Sequence, residues 1–425
     1  MGRSIFFGVV ALLFIIQDIY CFTAIKSFNL SERSFRLFRM VYVGVTVLSY
    51  IALIGLIVYM VSDRPIYRTK AVNLLTGLLF ALFFSKILLT VTLLVQDGGR
   101  VFIGIFNYVK DLFNQSFKPG TQAFMPERRR FITTAGTFMS GSLFLSMLYG
   151  ITKGKYKYTV ERVSLAFDDL PDAFDGFKLV QISDIHAGSF DNHEKVATGI
   201  EKINELNPDI VCFTGDLVNF EKEEIDPYID VFAKIKSKYG KFATLGNHDY
   251  YGTYDHNDPD AEKAYFDDFE NKLRQMGFEL LNNTNRKVSL KGQSIHIIGV
   301  ENWGKEKWFP KRGDLDKAVS GMEDGIFNVL LSHDPTHWDE KVKHFNKKIH
   351  LTLSGHTHGF QFGIQMKQFQ WSPAEYRYEK WAGLYTENDR HLYINRGYGF
   401  LGFPGRVGMW PEITLIELKK KQSII

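Results

Sequence analysis

Five short clusters of Asp, Asn and His recur along one part of this chain. They are Asp184-Ile185-His186, Gly215-Asp216, Gly246-Asn247-His248-Asp249, His333 and Gly355-His356-Thr357-His358. Asp184, Asp216 and the Asn247 amide offer hard oxygen donors. His186, His333, His356 and His358 add imidazole nitrogen. A mixed nitrogen and oxygen set without thiolate suits two divalent metal ions, and Mn, Fe or Zn better than Ca, which takes oxygen alone. Asp216 suits a bridge, because one carboxylate can give an oxygen to each ion. Two ions about 3.5–4 Å apart can hold a hydroxide between them and clamp a phosphoryl group during in-line attack.

Residues this far apart meet only if the fold gathers them. Each cluster follows an apolar run: Phe177–Ser183, Ile210–Thr214, Phe242–Leu245, Phe327–Ser332 and Ile349–Ser354. Such runs read as buried strands. Amphipathic stretches, His193–Leu206 and Pro227–Lys238, separate the first of them, and another strand is expected over Ser294–Val300. Continuous apolar strands alternating with helices indicate a covered sheet. Ligands of such sheets collect at the carboxyl ends of strands.

The motifs in this order, Asp-x-His, Gly-Asp, Gly-Asn-His-Asp, His and Gly-His-x-His, resemble the calcineurin-like metallophosphoesterases over about Phe177 to Leu418. "LSGHTHGFQFG" and "LYINRGYGF…PEITLIEL" are most similar to the YkuE-like branch, except that Phe360 stands where that branch has a second glycine. The resemblance implies an α/β metallophosphoesterase domain, an α/β/β/α sandwich. It implies that Asp184, His186 and His358 bind one metal, that Asn247, His333 and His356 bind the second, and that Asp216 bridges. His248 is then the catalytic histidine, stabilising the transferring phosphoryl group or protonating the leaving oxygen, with Asp249 expected to orient its imidazole. Protein phosphatases of the superfamily read Gly-Asp-x-Val-Asp-Arg-Gly. Here Asn219 and Phe220 replace the Asp-Arg pair, so the chain does not resemble that branch.

Residues 1–152 have a different character. Four apolar runs, about 5–25, 40–61, 72–95 and 131–151, each approach the length needed to span a hydrocarbon layer about 30 Å thick. A four-helix transmembrane region is expected there, followed by the phosphoesterase domain over 156–425. Lys26, Arg33, Arg36 and Arg39 occupy the first loop; Arg64, Arg68 and Lys70 the second; Arg100, Lys110, Lys118 and Arg128-Arg129-Arg130 the third. Placing the first and third loops inside satisfies the positive-inside tendency, although Lys153, Lys155 and Lys157 favour the reverse. Arg128–Ile132 also resembles a twin-arginine export motif; a plain basic anchor is the equal alternative. Both readings put the catalytic domain on the outer, periplasmic face of the cell inner membrane. Asp18 and Lys86 lie at similar depths in parallel spans and are expected to pair, since buried charge in lipid seeks a partner.

The net charge of +4 on 425 residues makes no electrostatic case for nucleic acid. Cys21 and Cys212 are far apart, and no disulfide is expected. His193, His256, His296, His337, His344, His350 and His391 lack ligand spacing and read as surface or core residues. "ENWGKEKWFPKRG" reads equally as an ordinary loop or as a lip that meets an anionic ester or headgroup. The aromatic stretch Phe369–Tyr385 reads as core, pocket wall or membrane contact. The expected function is a membrane-anchored, metal-dependent phosphoesterase acting on mono- or diesters, its substrate lipid- or envelope-linked, with membrane lipids as surroundings and no protein partner predicted. Two alternatives stay open: a cytoplasmic-facing hydrolase of a nucleotide-linked lipid precursor, and a non-catalytic metal-bound membrane scaffold.

Overall fold

The computed structural model describes residues 2–25, 28, 30–62, 69–113, 126–253, 258–366 and 369–421. Lys26, Arg64, Arg68, Lys118 and His256 lie outside the described residues. There are two compact units, one of Met1–Arg64 with Leu75–Tyr149, the other of Pro65–Leu74 with Gly150–Ile425.

The apolar runs form helices α1 (Gly2–Ile25), α2 (Glu32–Ser62), α3 (Lys70–Phe113) and α4 (Pro126–Thr152). Stretches of α2, α3 and α4 are long and apolar enough to cross a membrane, and α1 contributes a shorter apolar stretch, Phe14–Ala24. Helix α3 continues well past the expected end at Val95 to Phe113, because its glycines are tolerated and no proline interrupts it. Within the first unit, Lys86 Nζ meets Asp18 Oδ1. The Tyr50 hydroxyl donates to Asp18 Oδ2 at 2.8 Å and the Tyr42 hydroxyl to Oδ1 at 3.3 Å. The expected pair is therefore present, and its carboxylate has two further donors.

The second unit is built on two sheets and a hairpin. Its strands are β1 (Thr159–Phe167), β2 (Phe177–Ile182), β3 (Ile210–Phe213), β4 (Lys241–Ala243), β5 (Glu279–Leu280), β6 (Thr284–Leu290) and β7 (Gln293–Gly299). They continue with β8 (Phe327–Leu331), β9 (Leu351–Ser354), β10 (Ile364–Met366), β11 (Phe369–Trp371), β12 (Gly383–Glu387), β13 (Arg390–Ile394) and β14 (Glu412–Lys420). One sheet has the order β1-β14-β2-β3-β4-β5, the other β12-β13-β9-β8-β7-β6, and β10-β11 pair separately. Neighbours β2 to β5 are parallel, as are β13, β9, β8 and β7.

Alternate residues of one strand serve opposite faces. Ile210 and Cys212 of β3 join Leu179, Phe242, Val329 and Leu353 in a core shared by both sheets. Val211 and Phe213 instead pack with Val196 and Ile200 of the helix His193–Glu205 and with Phe269 of the helix Pro259–Gln275. Trp338 and Val342 cover the far face of the second sheet, against Ile298 and Leu330. Each such side chain withdrawn from water contributes roughly 1.5–3 kcal/mol. The layers are therefore α/β/β/α, as expected. The stretch Pro227–Lys238 does not form the single amphipathic helix expected of it. A 3-10 segment, Lys222–Tyr228, passes into one turn, Ile229–Phe232. Pro227 lacks a backbone donor, and the Glu224 carboxylate folds back onto the amides of Asn219, Phe220 and Glu221. Cys21 and Cys212 are both free and buried.

Candidate metal centre

The five clusters leave the carboxyl ends of β2, β3, β4, β8 and β9. Ligand atoms of Asp184, His186 and His358 lie within 4.8 Å of one another, and so do those of Asp216, His333 and His356. Asp216 touches both groups: its Oδ2 is 3.6 Å from His186 Nε2 and 3.1 Å from His333 Nε2.

The backbone at these loops is held in an uncommon conformation. Asp184, His186, Asp216, His356 and His358 all have positive φ, at 51°, 49°, 60°, 73° and 52°. For residues with a side chain such conformations cost about 1–3 kcal/mol each and persist only where the surroundings impose them. Close packing of backbones does so here. A Cβ on Gly246 would stand 2.2 Å from Asp216 Oδ1, and one on Gly355 would stand 1.9 Å from Ser183 Oγ. Only glycine lets the loops approach this closely.

Hydrogen bonds aim the ligands. His186 Nδ1 faces the Val218 carbonyl at 3.1 Å, and His333 Nδ1 faces the Thr214 carbonyl at 2.7 Å. A carbonyl only accepts, so each Nδ1 carries the proton and each Nε2 turns inward, the arrangement common for metal-bound histidine. His186 Nε2 and His358 Nε2 stand 3.1 Å apart. The His356 amide donates to both oxygens of Asp184 at 3.0 Å. Asn247 Oδ1 is buried and accepts no hydrogen bond. A buried acceptor without a donor costs free energy that a cation can offset. The donor set thus fits divalent metal.

Protonation states are consistent with that fit. Burial holds His186 well below the usual imidazole range, leaving it neutral. Burial opposes charge on Asp184, yet the facing His358 and His333 keep its carboxyl below the usual range. Burial likewise opposes charge on Asp216, and His333 and His248 overcome it. His333 is raised to about 10, the Asp216 charge outweighing burial. A cation bound at His333 would displace that proton, so metal uptake there would release protons.

His248 and Asp249 adopt different roles. The His248 amide donates to Asp216 Oδ1 at 2.8 Å, and its ring Nδ1 meets the Asn219 carbonyl at 2.8 Å. The Asp249 carboxylate does not serve the imidazole as expected. It accepts the amides of Asp216 at 2.9 Å and Gly246 at 2.8 Å on Oδ2, and of Leu217 at 2.7 Å and Val218 at 3.3 Å on Oδ1. Those orphan amides of the β3 and β4 loops claim the carboxylate, and the Asn219 carbonyl takes its place behind His248.

Further neighbours surround the site, of which Tyr251 and Arg406 were not singled out from sequence. The Tyr378 hydroxyl is 3.1 Å from His356 Nε2, and the Phe309 ring is 5.0 Å from that imidazole. Phe220 and Tyr251 flank His248 at 6.4 and 4.6 Å. Arg406 Nη2 lies 3.2 Å from His358 Nδ1. Much of the charge in "ENWGKEKWFPKRG" is spent in pairs, Lys305 with Glu340 at 2.8 Å and Arg312 with Glu262. Among the remaining histidines, His296, His337 and His350 are buried, with His350 bonded to Asp169 at 2.8 Å. His193 stacks on Tyr228 at 4.4 Å and His391 bonds Thr386 at 2.9 Å.

The same segments carry the likeness to known proteins. Residues 177–360 match the model of the calcineurin-like phosphoesterases, and residues 2–155 match that of a probable calcineurin-like phosphoesterase transmembrane domain. The metallophosphoesterase YkuE of Bacillus subtilis is 29% identical over 300 residues, covering 69% of this chain and 97% of its own. A transmembrane protein with metallophosphoesterase domain from Danio rerio is 30% identical over 280 residues, or 64% of this chain and 60% of its own. A Helicobacter pylori metallophosphoesterase is 24% identical over 348 residues, 78% of this chain and 84% of its own. The chain thus carries a calcineurin-like metallophosphoesterase domain, that of a metal-dependent phosphoester hydrolase, joined to a transmembrane domain.

Proposed function

We propose that the centre holds two divalent ions, Mn, Fe or Zn, and hydrolyses a phosphate mono- or diester carried by a lipid or another envelope component. The observation that carries this reading is Asp216 Oδ2, which faces ligands of both groups at once. Asp184, His186 and His358 hold one ion and Asn247, His333 and His356 the other. Ions bound there supply a nucleophile from water at neutral pH and neutralise the phosphoryl oxygens. The chain's own residues do the rest. His248 Nδ1 donates to the Asn219 carbonyl and so turns Nε2 toward the ester, where a second proton on Nε2 stabilises developing charge or passes to the leaving oxygen. Asp249 holds the Asp216 backbone in place. Phe220 and Tyr251, beside His248, suit a leaving group with apolar or ring character.

The arginine-rich first and third loops support an outward-facing catalytic domain. Protease protection in spheroplasts tests this: a shielded domain means that it faces the cytoplasm. The activity is tested on the full chain in detergent with bis-p-nitrophenyl phosphate and p-nitrophenyl phosphate, metal-stripped and then reloaded. Metal-dependent turnover lost in Asp216→Asn and His248→Ala is expected. A folded, fully metallated protein inert on both esters and on vesicle phospholipids would favour a scaffold.

A further inference from the structure

The hairpin β10-β11 has two unlike faces. Directly paired residues of an antiparallel ladder point to the same side. Ile364 pairs with Trp371 and Met366 with Phe369, so these four share one face, while Gln365 and Gln370 share the other. Gln365 Nε2 bonds Glu161 at 3.0 Å on the polar side. On the apolar side Ile364 is 47% exposed, Met366 61% and Phe369 51%. An exposed apolar face of this kind marks a contact surface.

The base of the hairpin adds a second observation. Phe360 has φ 49° and ψ 18°, a left-handed conformation that suits glycine, and its ring is 43% exposed. A bulky side chain there costs about 1–2 kcal/mol, and that cost leaves another apolar ring facing out.

Location identifies the occupant. Gly363 N donates to Val407 O at 2.9 Å, Val407 N to Gln361 O at 2.8 Å, and Arg406 N to Gly150 O at 3.3 Å. The segment at 406–407 is thus stitched to the hairpin base on one side and to the last turn of α4 on the other. Gly150 belongs to the catalytic unit and to a candidate membrane span that ends at Thr152. The hairpin base and the last turn of α4 are therefore tied to one short segment of the catalytic unit.

We propose that the apolar face of β10-β11, with Phe360, rests in the interfacial layer of the bilayer next to the end of α4. The metal centre is tied to this contact. His358 precedes Phe360 by two positions, and Tyr378 lies 6.3 Å from the Phe360 ring and 5.7 Å from His356. If the phosphoesterase reading above holds, on which this last step rests, the centre takes esters presented at the lipid surface.

The test places single cysteines at Met366, Phe369 and, as the opposite-face control, Gln370. The native Cys21 and Cys212 are buried and out of reach of label. The full chain, labelled with a nitrobenzoxadiazole probe, is reconstituted into phosphatidylcholine–phosphatidylglycerol vesicles. Doxyl lipid is expected to quench the probes at Met366 and Phe369 at least about twofold more than at Gln370, with aqueous iodide giving the reverse order. Equal iodide quenching at all three sites overturns the proposal. So does shielding of Met366 and Phe369 from both quenchers, which would mean that protein covers the face. Either labelled site suffices if the other variant fails to fold. Hydrolysis of bis-p-nitrophenyl phosphate by the same samples reports separately on the phosphoesterase reading.

Discussion

Asp249→Asn separates two roles for the residue that follows His248. Each Asp249 oxygen accepts two backbone amides, Asp216 and Gly246 on one, Leu217 and Val218 on the other. An asparagine keeps one oxygen and turns an NH2 group toward the other pair, so two buried donors lose their acceptor. At about 1–3 kcal/mol for each unsatisfied donor, the loss is about 2–6 kcal/mol. For a unit of this size that lowers the melting temperature by about 4–12 °C. Because the Asp216 backbone is what loosens, metal content falls as well. The assays are thermal melting of the full chain in detergent and metal content by plasma mass spectrometry. A variant that melts within about 1 °C of wild type and keeps its metal, yet loses most of its turnover, would refute this reasoning. It would mean that Asp249 acts on the His248 imidazole after all.

His248→Ala is expected to lower kcat by about 10²–10⁴-fold with bound metal unchanged, and loss of metal would make His248 a ligand instead. Burial pushes His337 down to about 3 from the ordinary 6.5. Its native state thus binds fewer protons than the unfolded chain, and stability is lost as pH falls below 6.5. By pH 5 this amounts to about 2 kcal/mol. Melting at pH 7.5 and pH 5.0 should show a smaller acid loss for His337→Asn, and identical losses would remove His337 as a cause. Asp18→Asn leaves Lys86 without its carboxylate and should destabilise the protein in detergent by about 3–5 kcal/mol. Unchanged melting would mean that Lys86 has another way to reach water.

What could be read from the residues alone depended on whether the signal was local. The continuous apolar runs of β2, β3, β8 and β9 stand out because both faces of those strands are buried. Their carboxyl ends then locate the clusters. The α/β/β/α layering followed from resemblance, and the structure gives its physical basis in the alternation of Ile210 and Cys212 with Val211 and Phe213. The Asp18–Lys86 pair apart, contacts that join distant segments left no such trace. Asp249 was read through its neighbour in sequence, but its partners are loop amides brought in by two other strands. The Asn219 carbonyl behind His248 is invisible because every residue has a carbonyl. The positive φ of Asp184 or His358 is imposed by neighbouring backbone, and neither residue type announces it. The stretch Phe369–Tyr385 read equally as core, pocket wall or membrane contact; only the register of β10-β11 shows that Phe369 and Trp371 share a face with Ile364 and Met366.

The place of β14 governs when this protein can exist as an enzyme. It lies between β1 and β2, and Thr159 at the start of the first sheet bonds Pro411 just before β14. Synthesis at about 5–20 residues per second puts roughly 12–50 s between the two. During that interval α1 to α4 have already left the ribosome, while β1 and β2 still have open edges where β14 belongs. Membrane insertion thus precedes completion of the first sheet. A chain interrupted before Glu412 would be anchored yet expose unpaired strand edges, the kind of surface that proteases and aggregation find first.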